Sequence, residues 1–201
     1  MSHNTNTIPH SKSVNSIDKN GCTPLHRACM DSNYEEVDKL LCYEAVDINV
    51  TDNNGRTPLF YACEEGNEKI IQLLIASENK KDPAKFNLIK CDINHVDTYK
   101  RTALHIASLK GHTQVVQLLL EHKANVNLAD KDKRTALDMA CIEGHTYVVK
   151  LLLNHGGVDI NRTDTRKCTP LQYACMKGHT QVVELLLEHK ANINLMNESY
   201  G

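Results

Sequence analysis

The sequence predicts an all-α solenoid, in which helix-turn-helix units stack along one axis and are joined by short hairpin loops. Three observations carry the prediction. First, a tetrad recurs as Thr23-Pro24-Leu25-His26, Thr57-Pro58-Leu59-Phe60, Thr102-Ala103-Leu104-His105, Thr135-Ala136-Leu137-Asp138 and Thr169-Pro170-Leu171-Gln172. Its threonines are spaced 34, 45, 33 and 34 residues apart, a period that marks stacked supersecondary units. Second, two apolar helical segments follow each tetrad, separated by Gly or a substitute. Third, the chain is 41% hydrophobic yet has no Trp and only two Phe. Its core must therefore use many medium-sized aliphatic contacts, which suits a helical stack better than a sandwich or barrel.

Each slot of the repeat has a local reason. Thr ahead of Pro reads as an N-cap whose hydroxyl meets an orphan N–H, and Pro at the first helical position forfeits no hydrogen bond. Gly66, Gly111, Gly144 and Gly178 end the first helix where a left-handed residue is needed. Runs such as Val115-Val116-Gln117-Leu118-Leu119-Leu120 give the second helix one broad apolar face. Asn/Asp-rich stretches such as Asp52-Asn53-Asn54-Gly55 carry turn chemistry. Two units are near copies: Gly111-His112-Thr113-Gln114-Val115-Val116 returns as Gly178-His179-Thr180-Gln181-Val182-Val183.

The series T-P-L-H, paired small residues, G-H, V-V-x-L-L-L and a closing A-x-V-N resembles the ankyrin repeat, in five co-registered copies. The copies run over about residues 18–51, 52–96, 97–129, 130–163 and 164–197, with the start of a sixth at the C-terminus. The resemblance implies an ankyrin-repeat solenoid that binds another protein on its concave face, through hairpin tips and exposed first-helix positions. It also implies a hydrogen bond from the tetrad His, expected to be lost where Phe60, Asp138 and Gln172 replace it.

Composition narrows the function further. A formal net charge of −2 leaves no basic footprint for nucleic acid. The charge is polarised, because residues 1–78 carry 6 Lys/Arg against 12 Asp/Glu and residues 79–201 carry 17 against 13. No long apolar run marks a membrane span or a secretory signal, so the expectation is a cytoplasmic, reducing location for the eight cysteines. The sequons at Asn49, Asn161 and Asn197 are then accidental. Cys29, Cys63, Cys141 and Cys175 share one helix slot and read as small buried thiols. No C-x-x-C pair, phosphate loop, G-x-S-x-G or H-E-x-x-H motif occurs. The expectation is therefore no cofactor, no metal and no enzyme within these residues.

The ends and one insertion break the symmetry. Residues 1–17 form a polar tail, expected to be disordered, ahead of the array at 18–201. Glu36 and Lys39 make the first repeat a polar cap. Val182, Val183, Leu185, Leu186 and Leu187 leave the fifth repeat uncapped, which predicts a longer array or self-association through that repeat. About twelve extra residues lie within 79–91 and read either as a longer second helix tucked back on the stack or as a partner contact through Phe86.

The partner-binding residues expected on the concave face are Met30, Glu64, Glu65, Leu109, Lys110, Ile142 and Met176 from the first helices. Tyr99, Arg101 and Arg134 join them from the hairpins. Arg56, Arg101 and Arg134 share one hairpin slot and read as a clamp for acidic residues, with Tyr99 beside them as a hot-spot type. Two function classes stand: a non-enzymatic adaptor, scaffold or targeting module, and the recognition arm of a longer enzyme or effector.

Overall fold

The computed structural model describes residues 14–43, 45–76 and 90–195. Ten α-helices run through them in five pairs. These are α1 Pro24–Met30 with α2 Tyr34–Leu41, α3 Pro58–Glu64 with α4 Glu68–Ala76, and α5 Ala103–Lys110 with α6 Thr113–Glu121. Two further pairs complete the order: α7 Ala136–Glu143 with α8 Thr146–His155, and α9 Pro170–Lys177 with α10 Thr180–Glu188. The described residues contain no strand.

Every first helix starts just after the tetrad Thr, and the Thr23, Thr102 and Thr169 hydroxyls accept the N–H three residues on. First helices stack closely because their facing residues are small. Ala28, Ala62, Ala107, Ala140 and Ala174 are all buried. Second helices form an outer layer through branched residues such as Ile71, Val116, Val149 and Leu186. One contiguous core extends from Val14 to Ala191. Cys29, Cys63 and Cys141 are fully buried, and that burial raises their thiol pKa values, so they sit as neutral filler. Cys175 departs from the buried expectation and is exposed. Its slot faces the following repeat, and none stands there among the described residues.

At Phe60 both hydrogen bonds of the replaced His are lost. There the Thr57 hydroxyl is buried without a partner, and the Phe60 ring instead meets His95 edge-on at 6.5 Å. Asp138 Oδ2 accepts the Thr135 N–H and hydroxyl at 2.7 and 2.9 Å, and Gln172 Oε1 accepts the Thr169 N–H at 2.9 Å. A carboxylate or amide oxygen therefore fills the role of imidazole Nδ1. The second bond is what changes. His26 and His105 donate from Nε2 to the Arg56 and Arg134 carbonyls of the following repeat, at 3.0 and 3.1 Å. Asp138 is too short to reach so far, and its Oδ1 is buried with no partner.

Two further interlocks join the repeats. His112, His145 and His179 reach back from Nε2 to the carbonyls of Glu64, Leu109 and Ile142, at 3.0, 3.0 and 3.1 Å. Each ring lies over the preceding repeat's left-handed Gly66, Gly111 or Gly144.

An asparagine ladder runs along the loops that close each repeat. Asn15, Asn49, Asn94, Asn127 and Asn161 each accept a backbone N–H of the next repeat, from Asp47, Asp92, Asn125, Asp159 and Asn192. Asn15 belongs to this ladder and Val14 to the core, so these two residues of the polar tail are built into the stack. The ladder also restores register across the insertion. Asn49 Nδ2 donates to the Lys90 carbonyl at 2.7 Å while Oδ1 accepts from Asp92 at 2.9 Å. The same pair of bonds joins Asn127 to Gly157 and Asp159. Asn49→Ala is expected to lower stability by about 1–2 kcal/mol in urea unfolding, because both bonds disappear together. An unchanged midpoint would mean that the insertion is held elsewhere. Most of the insertion, Phe86 included, lies outside the described residues.

Candidate interaction groove

Each hairpin ahead of a first helix is organised by one aspartate: Asp18, Asp52, Asp97, Asp130 or Asp164. Its Oδ1 accepts the N–H groups two and four residues on, at 2.8–3.0 Å. This turn places the residue three positions after the aspartate in the left-handed region, where Gly55 stands in repeat 2 and Lys100 and Lys133 in repeats 3 and 4. Successive tips are tied by backbone bonds of 2.9–3.0 Å, Asn53 to Asn20, Thr98 to Asn54, Lys131 to Tyr99 and Thr165 to Asp132.

The second carboxylate oxygen decides what each hairpin presents. In repeats 2 and 5 it accepts from a first-helix tyrosine, Tyr61 at 2.6 Å and Tyr173 at 2.5 Å. Burial and the neighbouring Asp52 push the Tyr61 hydroxyl up to about 12, so it remains a donor. In repeat 1 Arg27 fills this role and holds Asp18 down at about 2. Repeats 3 and 4 carry Ile106 and Met139 in the tyrosine slot, and neither can donate. The hairpin arginines turn inward instead. Arg101 grips Asp97 from Nε and Nη2 at 2.9 and 2.6 Å. Arg134 sits 3.5 Å from Asp130 and also pairs with Asp132.

Beside Ile106 and Met139 lies a cleft of about 530 Å³ between repeats 3 and 4. Ile106, Leu109 and Met139 give its apolar side, while Tyr99, Arg101, Lys131 and Arg134 rim it from the hairpins. Tyr99 is 59% exposed and braced by cations, with Arg101 5.0 Å and Lys131 5.6 Å from its ring centre. A rigid aromatic beside an apolar floor and a charged rim is the makeup of a binding hot spot.

Of the residues expected at the site, the cleft gathers Tyr99, Arg101, Leu109 and Arg134. Met30 and Ile142 are half-buried at the ends of their helices, while Met176 is 52% exposed. Glu65 and Lys110 are exposed, and Glu64 pairs with Arg56 at 3.3 Å. These pairings engage the three arginines of the expected clamp. Arg56, Arg101 and Arg134 are engaged by carboxylates of the array itself, so they brace the hairpins. The sequence reading missed Ile106, Met139 and Lys131. The available signal was the break in the slot occupied by Tyr61 and Tyr173.

Stacked helix pairs with hydrogen-bonded hairpin tips define a helical-repeat solenoid. A family model described as ankyrin repeats in three copies matches residues 5–87 and again 73–164, and a single ankyrin-repeat model matches 166–198. The chain belongs to the ankyrin-repeat family, whose arrays are generally protein–protein interaction modules. No curated protein matches it. Among the described residues, no helix is long and apolar enough to cross a membrane, and no group of three His, Cys, Asp or Glu could hold a metal ion.

Proposed function

We propose that this chain is a non-enzymatic binding module, an adaptor, scaffold or targeting segment, that holds a partner protein along the groove between its hairpins and first helices. The observation carrying this reading is the cleft where exposed Tyr99, braced by two cations, stands beside Leu109 and Ile106. Contacts from Lys110, Ile142, Met176, Met30, Glu64 and Glu65 extend it along the stack. Eight cysteines outside any disulfide accord with work in a reducing compartment such as the cytoplasm.

The test is affinity capture from a cell extract with the intact chain and with Tyr99→Ala/Leu109→Gln. Arg101 is kept, because removing it strands the buried Asp97 carboxylate. The double variant is expected to retain its helicity and lose about tenfold or more in partner recovery. Equal recovery by both proteins would refute the groove.

A further inference from the structure

We propose that the groove selects an extended acidic segment of a protein, which seats one large apolar side chain in the cleft between repeats 3 and 4. This rests on the binding-module reading and specifies the chemistry of its partner. Arg101 and Arg134 are held by Asp97, Asp130 and Asp132. Lys100, Lys110, Lys131 and Lys133 are exposed, and none forms an ion pair among the described residues. Lys131 is on the cleft rim, Lys100 and Lys133 lie on the two hairpins that bound the cleft, and Lys110 ends α5 beside Leu109.

The Asp-turn holds Lys100 and Lys133 at fixed backbone positions, with φ of 61° and 64°. Their side chains therefore start from fixed points on the two hairpins that bound the apolar floor of Ile106, Leu109 and Met139. A ligand that exploits both features needs carboxylates flanking an apolar residue. Direction follows from the other end of the groove. Asp31, Glu64 and Glu65 occupy the Leu109 and Lys110 positions in repeats 1 and 2, and Glu143 the Lys110 position in repeat 4, so an acidic segment is favoured at the lysines beside the cleft and disfavoured at the first two repeats. A nucleic acid is less well served, because a phosphate chain has no use for an apolar floor.

The test selects short random peptides displayed on phage against the full chain, with a fluorescent oligothymidylate measured in parallel. Enriched peptides are expected to share Leu or an aromatic residue flanked by Asp and Glu. Their affinity should fall about tenfold with Lys131→Glu/Lys133→Glu and about as much with Leu109→Gln, and it should weaken as salt is raised. Neutral or basic enriched peptides that still lose affinity with Leu109→Gln would overturn the acidic partner and leave the binding module standing. Peptides that ignore Tyr99→Ala/Leu109→Gln would overturn both. Oligothymidylate binding more tightly than any peptide would overturn the proposal in favour of nucleic acid.

Discussion

Gly111→Ala is expected to destabilise the array by about 3 kcal/mol, whereas Gly178→Ala costs about 1 kcal/mol. Both glycines cap first helices at φ +74°, so the backbone strain of a left-handed alanine is common to the two. The surroundings differ. A Cβ on Gly111 would lie 2.6 Å from the His145 ring, while nothing stands within 4 Å of Gly178. The ring must move, and its bond to the Leu109 carbonyl goes with it. Circular dichroism during urea unfolding gives the comparison. A broadened transition is also expected for Gly111→Ala alone, because weakening one junction lets the two halves of a repeat array unfold separately. Equal losses at the two sites would show that the close approach of the ring carries no energy.

Asp138→Asn is expected to stabilise the protein by about 2 kcal/mol near pH 7.5, with the gain vanishing towards pH 4. Burial raises the Asp138 carboxyl to about 6, despite its two bonds from Thr135. The unfolded chain keeps the ordinary value near 3.8. A carboxyl raised on folding favours the folded state while it is protonated, and that contribution is lost as pH climbs through the folded value. Asparagine has the shape of the protonated acid at every pH, keeping an oxygen for the Thr135 N–H. Differences between variant and native protein across the pH series isolate this group from other titrating residues. A constant difference would mean that Asp138 does not titrate in this range.

The parts of the fold legible in the sequence are those whose cause is local. The tetrad Thr, the left-handed glycines and the Val-Val-x-Leu-Leu-Leu faces each announce themselves within a few residues, and each sits where it was expected. The asparagine ladder was equally available. An apolar residue, Asn and then Asp recur at 14–18, 48–52, 93–97, 126–130 and 160–164. Its first copy is embedded in a polar tail, and its meaning depends on a backbone N–H some 30 residues away. The arginine pairings lay further from reach. Whether Arg101 faces a partner or Asp97 depends on whether a helix residue already occupies the second carboxylate oxygen, a question that only assembled neighbours settle. For the same reason the cleft was legible as a set of rim residues, without its Ile106 and Met139 floor.

The missing Nε2-type bridge from Asp138 has a mechanical meaning. Pulled from its two ends, the array is a line of fasteners in series, each transmitting the whole load to the next. The first-to-second and third-to-fourth junctions are buttoned by His26 and His105, whereas Phe60 sends no such bond across the second-to-third, where His95 Nε2 turns back to the Gly55 carbonyl of its own repeat at 3.0 Å. Asp138 sends nothing across the fourth-to-fifth junction. Load therefore falls first on the second-to-third and fourth-to-fifth junctions, while repeats 3 and 4, which frame the cleft, keep every fastener between them.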